Sequence, residues 1–199
     1  MMQRFSPIMP FRYWLDISYK TGELPDMKNA IWENIFKRGN EARSETATAL
    51  RNVPVFADFS KRELREVERI VHHRDFKAGE IIFRQGDPGL GMYIIIQGDV
   101  QIVNNENPDN PIIYSELTDG DFFGDLALVD DASRSATALS SGETRLISFF
   151  RPELQDIITR FPAIGNKVLM NLAKVIASRL RKTNDYLSAA QKAQSGDEN

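Results

Sequence analysis

Residues 77–103 read KAGEIIFRQGDPGLGMYIIIQGDVQIV, and this stretch decides the fold. Its apolar positions fall in short runs, Ile81 to Phe83, Tyr93 to Ile96 and Val100 to Val103, rich in β-branched and aromatic side chains. Between the runs stand Gly79, Gly86-Asp87-Pro88-Gly89 and Gly98-Asp99, residues that turn a chain between strands. The pattern continues through PIIYSEL (111–117), RSATAL (134–139) and RLISFF (145–150). Its breaks are Asn104 to Pro111, Asp119-Gly120-Asp121 and Ser141-Gly142. Short strands so regularly punctuated predict an antiparallel β-roll, a jelly-roll barrel. Gly79, Gly86, Gly98, Gly120 and Gly124 are expected at positive φ, where the strands turn.

Helical periodicity flanks this region on both sides, so the class is α+β. Asp26 to Arg51 reads as helix, with Ile31, Ile35 and Phe36 at helical spacing and Gly39 as a break. Residues 1–25 carry Pro7, Pro10 and Pro25 and the apolar cluster Phe11, Tyr13, Trp14, Leu15, an arm that docks or a tail that folds with a partner. Ser60 followed by Glu63 forms a capping box that opens the helix SKRELREVERIV, whose apolar stripe is Leu64, Val67, Ile70 and Val71. Helical spacing returns after Pro152, and one long helix is predicted from Ala163 to about Ala190. The chain divides into an N-terminal arm and helical extension (1–52), a barrel with its C-terminal helix (53–190) and a flexible tail (191–199).

The composition excludes several classes of function. With 199 residues, 42% hydrophobic and 27% charged, the chain resembles an ordinary soluble globular protein. Lys+Arg 25 against Asp+Glu 28 gives a net charge of -3, which argues against a general nucleic-acid binder. The absence of cysteine removes thiol catalysis, disulfides and thiolate zinc sites, and fits a reducing compartment. No apolar run approaches the ~18 residues of a membrane span, and the first 20 residues lack the continuous apolar segment of a signal peptide. The expectation is a cytoplasmic protein with no membrane partner. Residues 53–164 hold eleven basic and nineteen acidic residues, a local net of -8, so an anion bound there must meet a specific cationic point.

A second block, LTDGDFFGDLALVDDASRSATAL (117–139), offers such a point. Leu126, Ala127 and Leu128 after Gly124 suit one short helical turn, whose first backbone N–H groups can cradle an anion. Arg134, between Ser133 and Ser135 at the entrance to a strand, can fork two hydrogen bonds onto a phosphate. The plain alternative is a surface arginine paired with Asp130 or Asp131. Ser135 and Ala136 add backbone N–H groups, and Ser135 a hydroxyl, beside the same place.

Together the two blocks resemble the cyclic nucleotide-binding domain family of catabolite-activator-like regulators, kinase regulatory subunits and gated channels, over roughly residues 53–190. The resemblance implies that Arg134 takes the cyclic phosphate, with Gly124, Leu126, Ala127, Ser135 and Ala136 around it. It places the ribose 2′-hydroxyl on the residue at position 125, where the family carries glutamate and this chain has Asp125. Aspartate is about 1.5 Å shorter, and a hydrogen bond tolerates only a few tenths of an ångström. The ribose contact must therefore move, pass through water or be lost. The base would lie against Ile102 and Tyr114 with the C-terminal helix as lid. The resemblance implies cAMP as the default ligand with cGMP as the alternative, and no further cofactor.

Leu169, Ala173, Ile176, Leu180, Thr183 and Leu187 form a seam suited to a second helix, whereas Ile164, Val168, Leu172 and Val175 face the barrel. Two stripes on one helix point to a homodimer through residues 164–188. No helix-turn-helix is expected after this helix, so DNA is not an expected partner. No metal site is expected, because His72 and His73 are the only histidines and adjoin at a helix end, facing different ways. The acidic pairs Asp130-Asp131 and Asp119/Asp121 read as turn chemistry. No catalytic constellation is legible. The reading is a non-enzymatic cyclic nucleotide receptor that relays binding through its C-terminal helix to an unidentified protein partner. Its alternative is a degenerate domain acting as a scaffold without nucleotide.

Overall fold

The computed structural model describes residues 45–104 and 112–196. The aromatic cluster at 11–15, the first part of the Asp26–Arg51 helix and most of the Asn104–Pro111 break lie outside these residues. In chain order the described elements are α1 (over 45–52), α2 (Lys61–Glu68), β1 (His72–Phe76), β2 (Ile81–Phe83), β3 (Gly91–Gln97), β4 (Val100–Asn104), β5 (Ile112–Leu117) and β6 (Phe122–Phe123). A 3-10 turn (Asp125–Leu128), β7 (Thr137–Ser140), β8 (Thr144–Phe150), α3 (Arg151–Arg160) and α4 (Pro162–Gly196) follow.

The strands form two antiparallel four-stranded sheets, in the orders β1-β8-β3-β6 and β2-β7-β4-β5, that face each other as a β-roll. Its interior is filled by Ile95, Val100, Phe123, Ala138 and Leu146, with Phe83, Tyr93, Ile102 and Leu117 packed around them. The first sheet is covered on its outer face as well. Met92 and Ile94 on β3, and Ile147 and Phe149 on β8, enter a second core with Leu64 and Val67 of α2, Leu154 of α3 and Val168 of α4. Burial on both faces explains why β3 and β8 read as almost continuous apolar runs rather than as alternating ones.

The helices end where their local chemistry predicts. Ser60 and Glu63 close the capping box, with Ser60 N–H donating to Glu63 Oε2 at 2.7 Å and Glu63 N–H to Ser60 Oγ at 3.3 Å. These bonds, the backbone one first, hold the Glu63 carboxyl below its ordinary value. Lys167 of α4 reaches the same carboxylate at 3.2 Å, and Asn171 donates to the Val55 carbonyl, so the long helix is pinned to the segment around α2.

Three expectations need correction. Leu50 of α1 is fully buried in the helix-side core, so residues 45–52 pack with the barrel. His72 and His73 do not end a helix but open β1, where pairing with β8 draws them into the sheet. His72 Nε2 lies 3.0 Å from Glu153 and His73 Nε2 lies 3.1 Å from the Thr46 hydroxyl. Helix α4 runs on to Gly196, into residues read as tail, because the sequence SAAQKAQSG holds no breaker before its glycine.

Candidate functional site

β6 delivers the chain to Gly124, whose φ of +71° turns it into the Asp125–Leu128 3-10 turn. Only glycine suits this position twice over. The left-handed backbone disfavours a side chain, and a Cβ would stand 2.6 Å from Nη1 of Arg134. The turn is closed by the Ala127 N–H donating to the Gly124 carbonyl at 3.2 Å, so that N–H is engaged within the turn rather than left open for an anion.

Arg134 comes from the opposite side. Its backbone pairs with the β2–β3 connection, N–H to the Asp87 carbonyl at 2.8 Å and carbonyl to the Gly86 N–H at 2.9 Å. The guanidinium then turns inward, with Nη1 donating to the Gly124 carbonyl at 3.1 Å and Nη2 to the Gly91 carbonyl at 2.7 Å. Its carbon lies 4.1 Å from the centre of the Phe83 ring. The residue is 8% exposed, and its Nε has no hydrogen-bond partner among the described residues. Burial lowers the affinity of this guanidinium for its proton, an effect that Tyr93 and Asp87 oppose. The surface-arginine alternative is thereby excluded: Asp131 pairs with Arg151, and Asp130 accepts the Ala132 N–H in a turn.

A cavity of about 600 Å³ opens between these two arms. Gly124, Asp125, Leu126, Ala127, Arg134, Ser135 and Ala136 line one side, and Ile102, Ser115 and Leu117 of β4 and β5 line the barrel side. Eight of the nine residues expected at the site are therefore brought together. The ninth, Tyr114, is not. Ile102 pairs with Ser115 but Val103 with Ile113, so Tyr114 is the extra residue of a β-bulge. The residue is 57% exposed, and its hydroxyl accepts from Asn104 Nδ2 at 2.7 Å. Ser115 takes the cavity-facing place instead.

Arg179 of α4 also lines the cavity, and the sequence reading missed it. Its Nη1 donates to Asp125 Oδ1 at 2.5 Å, and its guanidinium sits 5.0 Å from the Phe122 ring centre. The signal was present: 168, 172, 175 and 179 share one helical face, and the first two are core positions. Arg151, at the start of α3, was missed too. It donates to the carbonyls of Gly89, Ala127 and Asp130, tying down the far end of the 3-10 turn.

A buried guanidinium beside a cavity of mixed polar and apolar lining, facing a short turn that begins at a left-handed glycine, can pair with a small anion. Residues 73–161 match the family described as cyclic nucleotide-binding domain. This part of the chain belongs to that family. The cyclic AMP receptor protein of Thermus thermophilus is 28% identical over 135 residues, 68% of this chain and 61% of that protein. A cyclic nucleotide-gated potassium channel of Rhizobium etli is 30% identical over 145 residues, 70% of this chain and 39% of the channel. The chain thus spans less than two thirds of either relative. A cyclic nucleotide-binding domain from Methylobacillus flagellatus shares the fold, with a TM-score of 0.64 at 23% identity, covering 73% of this chain and 82% of that one.

Among the described residues, no helix is long and apolar enough to cross a membrane. No group of three metal-ligating side chains occurs among them either. After the roll come α3 and α4, with no separate DNA-reading domain among the described residues.

Proposed function

We propose that the protein is a cytoplasmic, non-enzymatic cyclic nucleotide receptor whose ligand is cAMP, and whose α4 passes the binding signal to a protein partner. One observation carries this reading: the buried Arg134, its Nε unpartnered, faces a cavity of the size of a nucleotide. A guanidinium has five N–H groups, and two of its nitrogens here each give one bond to a carbonyl. Nε and the remaining hydrogen of a neighbouring nitrogen are left to fork onto a phosphate without breaking either bond. The name of the Thermus relative makes cAMP the first ligand to test and cGMP the second.

Helix α4 suits a relay because it holds both a cavity residue and an outward surface. Beyond Arg179, Leu180, Tyr186 and Leu187 are exposed, and a second copy of the chain is the partner proposed for them. The expected seam is narrower than its sequence indicated, since Leu169 and Ile176 pack on the protein's own core. A scaffold without nucleotide remains the second reading, favoured by one feature: Asp125 is covered and already paired. Calorimetric titration with cAMP and then cGMP decides between them. Micromolar binding of either supports the receptor, and no heat at millimolar ligand leaves the scaffold.

A further inference from the structure

The cavity holds a second guanidinium besides Arg134, and it comes from a different element. Arg179 on α4 donates to Asp125, and the burial of the two partners is unequal. The Asp125 side chain is 2% exposed, whereas that of Arg179 is 49% exposed. The carboxylate is therefore sealed, while the arm that seals it reaches solvent. Oδ2 of Asp125 is buried with no hydrogen-bond partner among the described residues. In this arrangement Oδ1 is engaged by the guanidinium and Oδ2 is covered, so a hydroxyl entering the cavity meets no open carboxylate oxygen.

We propose that Arg179 is a displaceable gate, an internal donor that occupies the carboxylate a ribose 2′-hydroxyl would use. The proposal rests on the receptor reading above. An ionised carboxylate only accepts hydrogen bonds, so what replaces the guanidinium must itself be a donor, as a ribose hydroxyl is. A ligand without that hydroxyl gives Asp125 nothing and leaves Arg179 in place. The closed arrangement is weak enough to be opened, because an ion pair with one half-exposed partner is favoured by only about two- to fivefold. Its opening is also consequential, because Arg179 holds the part of α4 beyond which the helix is exposed on all described sides.

The test is calorimetric titration of the full chain, wild type, Arg179→Ala and Arg179→Met, with cAMP and with 2′-deoxy-cAMP. The methionine keeps an apolar stem beside Phe122 but carries no donor. Both variants should bind cAMP about two- to fivefold more tightly than the wild type. Binding of the 2′-deoxy ligand should not change, so the preference for the hydroxyl rises by the same factor. If both ligands weaken equally, Arg179 contacts ligand directly and the gate is overturned. If neither changes, Arg179 is a surface pair and the gate is again overturned, with the receptor reading intact. If none of the three proteins binds either ligand, the receptor reading falls and the gate with it.

Discussion

Replacing Arg134 with alanine separates its two duties. In the structure the guanidinium satisfies the carbonyls of Gly124 and Gly91 and covers the face of Phe83. Hydrogen bonds from a charged donor contribute about 1.5–3 kcal/mol each, and the ring contact adds roughly 0.5–2 kcal/mol. Against these stands the desolvation of a buried guanidinium with one unpaired nitrogen, about 1–3 kcal/mol. The net loss of stability is about 2.5–5 kcal/mol, which for a domain of this size lowers Tm by roughly 5–20 °C. Ligand affinity should fall further than folding accounts for, because an unpaired buried phosphate adds its own penalty, in all about 2–5 kcal/mol. That is ~30-fold or more in Kd. Arg134→Lys keeps the charge but not the planar fork, so it should recover part of the stability and little of the affinity. Differential scanning calorimetry and isothermal titration at a temperature where each variant is folded read the two effects apart. A folded Arg134→Ala variant that binds cAMP at wild-type affinity refutes the assignment of Arg134 to the phosphate.

Other changes test the frame around it. Gly124→Ala forces a side chain into a left-handed backbone and against Arg134, so it should lose about 1–2 kcal/mol of stability and also weaken cAMP binding, checked by thermal melting and titration. Ser60→Ala removes the capping box and should cost about 0.5–2 kcal/mol at neutral pH. Because Glu63 titrates below its ordinary 4.5 in the fold, its contribution is complete above that value and is lost as pH falls through the lower folded one. The Tm gap between wild type and Ser60→Ala should therefore narrow in acid, and a gap that widens below pH 4.5 contradicts this account. Leu180→Glu with Leu187→Glu alters only exposed positions, so it should abolish self-association in sedimentation while leaving Tm unchanged at concentrations where the wild type is monomeric.

The strands were legible because a half-buried sheet imposes a period of two and its turns demand glycine; β2 and β5 fall within the runs quoted from the sequence, β4, β7 and β8 overrun theirs by one residue each, and β3 extends past its run at both ends. Two strands were not. β1 reads HHRDF, mostly exposed and polar, and becomes a strand only by pairing with β8. β6 has two residues, too few to show a period. At the site, Gly124 was legible as a turn glycine, whereas Arg134 was read through the motif's resemblance to a family, its own neighbours leaving a surface arginine open. Tyr114 was misplaced by a bulge, a single inserted residue that reverses every facing beyond it and leaves no mark in composition. Arg179 went unread for a different reason. A charged residue on a mostly exposed helix looks like solvated surface until a buried carboxylate is found opposite it.

Three arginines, one from the connection before β7 and one each from α3 and α4, converge on the four-residue turn 125–128. Arg134 holds the carbonyl of Gly124 at its start, Arg179 the carboxylate of Asp125, and Arg151 the carbonyls of Ala127 and Asp130 at its end. A hydrogen bond tolerates a displacement of a few tenths of an ångström before it weakens sharply. The turn therefore cannot shift to meet a ligand without breaking some of these bonds or carrying their donors along. Arg151 is the first residue of α3, and α3 packs closely on α4 at Gly165, where a Cβ would stand 2.7 Å from the Cα of Ile158. Backbones packed this closely leave little slack between α3 and α4. The anion site and the outward face of α4 are thus joined by two routes of unequal strength. One is the exposed, easily broken contact of Arg179; the other is the bonded chain from the turn through Arg151 and α3. If ligand breaks the first, the second is the bonded connection left between the turn and α4, and the proposed relay would have to run through it.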